Sequence, residues 1–297
     1  MRYDIIKKLK IFLVLLLLLV SITAVSAADE LNETAKGDNA IQDIIEDSNS
    51  DSQDILAVDE SESKLEASQF TVHESDYSTY FDLKGNLVSD NVKAGDTVNL
   101  AGSFTGKKFI FDRKVNIVGI SSNKMSNSMI TILSGASGST VSNLNIENTN
   151  KETYGIFLNS ASNCIIQGCT IKNTGQSSYC ICVANGANYN KILNNNLNAY
   201  GVTYGHGSVS RSTPPMLLSG SHYNEVSHNH VEADDANGIY LSSYSGGPIK
   251  GGNSNFNTIY DNYVHYNVLP TSWAYGIQVM GNNNTVNLNT VVGGYRG

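Results

Sequence analysis

The residues able to do chemistry are sparse and gather in the second half of the chain. His228 and His230 stand one strand step apart, with Asp261, Glu232 and His265 near them in pattern. Imidazoles and carboxylates so spaced could sketch a zinc-type patch. The same residues also suit a solvated outer face, and we expect no metal site and no cofactor. Asp234 and Asp235 are adjacent acids, and His206 sits in the string Gly205-His206-Gly207-Ser208. Acid and base chemistry on a polymer would need two such carboxylates, or a carboxylate and a base, set apart on neighbouring elements. Cys164, Cys169, Cys180 and Cys182 could pair as disulfides if the chain is exported.

What positions these residues begins with the leader. Arg2, Lys7, Lys8 and Lys10 precede the apolar run Ile11 to Val20, followed by the small residues Val25, Ser26, Ala27 and Ala28. That order predicts a secretory signal over residues 1–27, and a retained anchor helix would need roughly 20 apolar residues. Residues 28–77 are expected to form a disordered, self-repelling spacer, because Asp29 to Asp76 hold fifteen acids against Lys36 and Lys64. The formal charge of -8 belongs to that spacer. The body, residues 78–297, is nearly neutral and offers no electrostatic case for nucleic acid.

An apolar pair five residues apart recurs through the body: Val141/Ile146, Ile166/Ile171, Ile192/Leu197, Val226/Val231, Ile259/Val264 and Val286/Val291. Ahead of each pair lies an alternating segment, Ile130/Ile132, Ile156/Leu158, Ile181/Val183, Met216/Leu218, Ile239/Leu241 and Ile277/Val279, each reading as a strand with two inward side chains. Where the chain is regular the copies are about 25 residues apart, too short for a helix-crossover unit. The expected fold is all-β, a single-stranded right-handed parallel β-helix in which each Ile or Val stacks on its counterpart. An antiparallel sandwich would accommodate alternating strands but gives no reason for the register.

Two columns of Asn accompany the pairs: Asn190, Asn224, Asn257 and Asn284 before the first apolar residue, Asn195, Asn229, Asn262 and Asn289 after it. Inward at turns, each amide can satisfy turn backbone and bond to the Asn of the next coil. Cys164 and Cys169 occupy the same columns one coil earlier, so they read as small buried replacements rather than disulfide partners. Cys180 and Cys182 flank Ile181 on the opposite face, a poor placement for a bridge.

Several of these segments resemble a known family. The string Lys93-Ala94-Gly95-Asp96-Thr97-Val98-Asn99-Leu100, then Val115-Asn116-Ile117-Val118-Gly119, then repeats such as Asn224 to Asn229, are similar to the right-handed β-helix repeats of adhesin-like surface proteins of methanogenic archaea. The resemblance implies an exported, non-catalytic cell-surface protein that binds glycans or cell-wall polymers. Its repeat is shared by β-helix lyases, hydrolases and epimerases, so a carbohydrate-active enzyme is the alternative. The string at His206 resembles the His motif of polygalacturonases, but Asp234 and Asp235 follow it where that family's acids precede it. The sequence also stops just past a strand, at Tyr295-Arg296-Gly297, which predicts an open final coil, truncated or covered by another chain or domain.

The expected binding surface lies where the chain departs from its repeat. The segments from Asn198 to Pro215 and from His265 to Tyr275 leave the same corner two coils apart, with a shorter turn carrying Asp234 and Asp235 between them. Tyr204, His206, Arg211, Tyr266 and Trp273, with Tyr200 and Tyr275, would wall a shallow groove over the two acids. Aromatic rings beside carboxylates suit sugars, which present apolar C–H faces and hydroxyl rims. The alternative is that these aromatics pack together to hold the loops. Sequons at Asn32 and Asn283 are candidate glycosylation sites.

Overall fold

The structure, a computed structural model, describes residues 66–175, 177–200, 214–234, 236–267 and 274–293. The expected signal, most of the spacer with Asn32, and Tyr204, His206, Arg211, Asp235 and Trp273 lie outside them.

The described residues form a right-handed parallel β-helix with three faces. One face is a seven-stranded sheet running from Lys108–Phe111 through Met129–Leu133, Tyr154–Asn159, Tyr179–Ala184, Met216–Ser219 and Ile239–Ser242 to Ile277–Val279. The second face stacks Thr140–Ser142, Ile165–Gln167, Lys191–Leu193, Glu225–Ser227, Thr258–Tyr260 and Thr285–Asn287. The third stacks Asn145–Asn148, Thr170–Asn173, Asn196–Tyr200, His230–Asp234, Tyr263–Asn267 and Thr290–Gly293. The long strand Asn116–Ser126 bends round the corner and pairs with the first strand of both.

Stacking puts like on like. Ile117, Val141, Ile166, Ile192, Val226, Ile259 and Val286 are successive partners on the second face. Met125, Ile146, Ile171, Leu197, Val231, Val264 and Val291 are partners on the third. Apart from the last coil, these side chains are fully buried in one continuous core. At about 1.5–3 kcal/mol for each buried aliphatic side chain, these columns supply the main driving force for stacking.

The turn between the second and third faces places Asn143, Gly168, Asn194, His228, Asp261 and Leu288 in the left-handed region. The turn before the second face does so with Gly138, Asn163, Tyr189, Tyr223, Phe256 and Asn283. The residue after each is turned inward, and from the third coil onward it is Asn. Asn190 Nδ2 donates to Asn224 Oδ1 at 3.0 Å, Asn224 to Asn257 at 3.0 Å and Asn257 to Asn284 at 3.1 Å. The second ladder runs Asn195, Asn229, Asn262, Asn289 with rungs of 3.0, 2.9 and 2.8 Å. Each Oδ1 also accepts the backbone N–H of the preceding rung, so the amides satisfy turn groups that no strand can reach. Cys164 and Cys169 stand one rung earlier and donate their backbone N–H to Asn190 and Asn195.

The described residues include elements ahead of residue 78. Gln69–Val72 adds a parallel strand to Thr97–Thr105, and the short helix Tyr77–Tyr80 with Phe81 closes the end of the core. Phe81 and Phe109 meet edge to face, as do Phe104 and Phe109. Arg113 pins this cover by donating to the carbonyls of Leu87, Ser89 and Val92. The strand escapes a reading by composition because it sits within the acid-rich stretch, where a short apolar alternation is averaged away.

Tyr266, expected on a groove wall, is instead 1% exposed. In Tyr263–Asn267 the inward residues are Val264 and Tyr266, and Tyr266 stacks over the small Ala233 and Ala199 below it. Gly276 leaves it space, since a Cβ there would lie 3.1 Å from the Tyr266 ring and 2.3 Å from Val291.

Asn229 is a fully used rung: its Nδ2 donates to Ile192 O, Ser227 O and Asn262 Oδ1, and its Oδ1 accepts from Asn195. Asn229→Ala is expected to lower the unfolding free energy by about 3 kcal/mol by orphaning these buried groups. Urea denaturation with an unchanged m-value reads the loss, and a change within about 0.5 kcal/mol would show that the ladder is dispensable.

Candidate functional site

On a strand, residues two apart share a face, and on the third face the outward residues form a registered patch. Asn196, His230 and Tyr263 are partners across three coils, as are Asn198, Glu232 and His265, and Tyr200, Asp234 and Asn267. Neighbouring strands about 4.8 Å apart keep these side chains within reach of one another.

Glu232 is the hub of the patch. Its Oε1 lies 2.9 Å from His230 Nε2 and its Oε2 lies 2.6 Å from His265 Nδ1. An ionised carboxylate only accepts, so both imidazoles present N–H to it. That fixes the tautomers: in the neutral rings, the proton-accepting nitrogens are Nδ1 of His230 and Nε2 of His265. His230 also stacks on Tyr263 with ring centroids 4.9 Å apart and planes at 9°. His228 and Asp261 form a separate pair at 3.1 Å. The five residues that sketched a metal patch thus divide into two hydrogen-bonded groups. Among the described residues no cluster of three or more His, Cys, Asp or Glu has the arrangement of a metal site.

Beside Glu232 is a cleft of about 80 Å³, lined by Asn198, Tyr200, Glu232, Asp234 and Asn267, with Ala199 and Ala233 at its base. It has room for a hydroxyl or hydroxymethyl group rather than a whole sugar ring. Asn198 Oδ1 is buried there with no hydrogen-bond partner, a state that costs about 1–3 kcal/mol. Tyr200 and Asn267 are also the last described residues before 201–213 and 268–273, so both departures from the repeat spring from one rank, with Asp234 between. Of the expected site residues, Asp234 is here, Tyr266 is in the core, and Tyr204, His206, Arg211, Asp235 and Trp273 lie outside the described residues. Tyr275 is half-buried and donates its backbone N–H to Asn237 Oδ1. Sequence reasoning passed over Asn198 and Asn267 as site residues, although the outward parity of their strands places both in this rank, and over Glu232 as hub, which parity alone does not show.

The first face is closed from outside. The segment after Ile239–Ser242 folds back so that Ile249 packs with Tyr154, Phe157, Tyr179, Cys182 and Leu217. Asn185 clasps it, donating to Pro248 O and accepting from Lys250 N. Cys182 is fully buried beneath this cover, whereas Cys180, expected on the same opposite face, is buried in the main core beside the carbonyls of Ile171 and Asn198. All four cysteines are free. Burial pushes the Cys169 and Cys180 thiols up to about 12, and raises Cys164 and Cys182 as well.

No protein-family model matches the chain, and no curated protein matches it. Among solved structures, it is similar to the catalytic domain of GH87 α-1,3-glucanase in complex with nigerose, at 17% identity and a TM-score of 0.36, over 69% of this chain and 41% of that one. It is also similar to the Dettilon tailspike protein, at 11% identity and a TM-score of 0.36, over 75% of this chain and 62% of that one. The chain thus spans less than two thirds of either, and no functional assignment rests on these likenesses.

Thiolates, not thiols, react, and here the folded state suppresses both ionisation and access. At pH 8 an aromatic disulfide reagent is expected to label none of the cysteines of the native protein within minutes, and all four after denaturation. Rapid native labelling of Cys164 or Cys169 would misplace the inward register.

Proposed function

We propose that the chain is an exported cell-surface protein that binds glycans or cell-wall polymers through the outer surface of its third face, without turning them over. The observation that carries this reading is the cleft lined by Asn198, Tyr200, Glu232, Asp234 and Asn267. A hydroxyl seated there meets Asp234 and Asn267 as polar partners and Tyr200 as an apolar ring edge. Tyr204, His206, Arg211, Asp235 and Trp273 belong to the segments that leave this rank, and in this reading they extend the contact. The surface is also rigid in its backbone, because every strand beneath it is paired on both sides except in the outermost coil. A pre-organised face loses less freedom on binding.

Binding without turnover is favoured by how the acids are used. Both oxygens of Glu232 are already engaged by imidazoles, which leaves Asp234 without a second free carboxylate in the described cleft, whereas glycoside hydrolysis needs a pair. One observation supports the enzyme reading instead. Glu232 holds His265 by Nδ1 and so leaves Nε2 poised as a base, which is the arrangement a polysaccharide lyase or epimerase would use to remove a sugar-ring proton.

A panel of neutral and uronate polymers separates the two. Retention on at least one polymer, with Tyr200→Ala and Asp234→Asn each weakening it about tenfold, or about 1.4 kcal/mol, and no release of reducing ends or unsaturated products, is the expected result. Cleavage that disappears in His265→Ala would establish the enzyme reading.

A further inference from the structure

The corner ahead of the second face carries a second surface, unconnected with the cleft. In three successive coils its left-handed position holds an aromatic residue: Tyr189 at φ 59°, Tyr223 at 58° and Phe256 at 57°. Bulky residues are rarely found there, and the flanking coils fill the same column with Gly138, Asn163 and Asn283, which tolerate it. The rings are not there to fill a core, being 55%, 46% and 44% exposed. They stand in file, Tyr189 on Tyr223 at 4.9 Å and 5°, Tyr223 on Phe256 at 5.0 Å and 7°.

Beside the file runs a rank of hydrogen-bonding groups oriented by the stack itself. Asn188 Oδ1 accepts the backbone N–H of His222 at 2.8 Å, His222 Nδ1 accepts that of Asn255 at 3.2 Å, and Asn255 Oδ1 accepts that of Asn282 at 2.7 Å. The Nδ1 lone pair of His222 is thereby consumed and each Asn amide is oriented, leaving donors unused: the Nδ2 groups of Asn188 and Asn255, and, because Nδ1 must be unprotonated to accept, the Nε2–H of His222. These three donors have no partner among the described residues. Two residues on from Tyr189 and Tyr223, Lys191 and Glu225 pair at 3.3 Å. Strain accepted in three coils in succession, on the surface, in register with a fixed rank of donors, is the mark of a functional position rather than of packing.

We propose that this corner is a glycan-binding strip for an extended, uncharged polysaccharide lying along the helix axis. The ring edges and the outer ring faces at the two ends of the file meet the apolar C–H surface of the sugars, and Asn188, His222 and Asn255 donate to their hydroxyl oxygens. A repeating ligand suits a repeating surface, since both the rings and the donors recur once per coil.

The test uses the full chain and the residue the fold itself places in this column. In the triple variant Tyr189→Asn, Tyr223→Asn, Phe256→Asn, depletion from solution by insoluble cellulose and by chitin is measured beside a polygalacturonate control, together with the melting temperature. The expected result is that the native protein is retained by at least one neutral polymer, the triple variant is at least tenfold weaker, and its melting temperature is unchanged or higher because the strain is relieved. Retention by neither neutral polymer, or equal retention of native and variant protein, overturns the proposal. So does a melting temperature lowered by several degrees, which would assign the stack to holding the corner together. Loss in Asp234→Asn with none in the triple variant would place neutral-polymer binding in the third-face cleft and overturn the strip.

Discussion

Each coil turns its corner through a left-handed residue and then buries the next backbone N–H where no strand can pair with it. The structure depends on how that N–H is satisfied. Asn does it from the next coil up, its Oδ1 accepting the buried N–H while its Nδ2 reaches the following rung and carbonyls nearby. The apolar columns supply most of the free energy of stacking, but they would tolerate small slips between Ile, Val and Leu. The amide ladders do not, because a displaced rung leaves several buried polar groups unpaired at once. Register is therefore fixed at the corners and the faces follow.

A core specified from within frees the outer surfaces, and the three faces use that freedom differently. The first face carries Phe157, Cys182 and Leu217 outward and has them covered by a folded-back segment seated on Ile249. It is thereby withdrawn from solvent. On the third face the outward residues of the strands from Asn196–Tyr200 to Tyr263–Asn267 include Asn, His, Glu, Tyr and Asp, in register across coils. The second face is bordered by the aromatic corner. The solenoid thus presents its polar and aromatic groups at coil spacing on the sides that remain open.

Strain is distributed by the same logic. A residue other than Gly in the left-handed region costs roughly 1–3 kcal/mol, least where Asn can bond locally. At half of the corner positions Gly or Asn keeps that cost low, whereas Tyr189, Tyr223 and Phe256 put aromatic residues in one column in succession. Ring stacking recovers about 0.5–1.5 kcal/mol per contact, which offsets the strain only in part.

The repeat was legible in the sequence because a solenoid writes its contacts locally. Val226 and Val231 meet their counterparts at Ile259 and Val264 through a fixed period, so spacing alone identified the inward columns, and Asn at fixed offsets marked the corners. The same parity allowed Asn198, Glu232 and Asn267 to be placed outward, yet it could not show that Glu232 is shared by two imidazoles or that Asn198 lacks a partner, since those depend on rotamers and distances between coils. It misplaced Tyr266, whose burial follows from Ala199 and Ala233 below and Gly276 beside it, a space that exists only once the coils are stacked. It placed Cys182 outward but could not see the cover over it, because the segment carrying Ile249 returns to the first face from more than 60 residues away, with Asn185 as its clasp. Periodicity determined the fold of this chain, because each coil repeats the same local problem; tertiary structure decided which outward groups meet, because that depends on the unrepeated segments and on side-chain geometry.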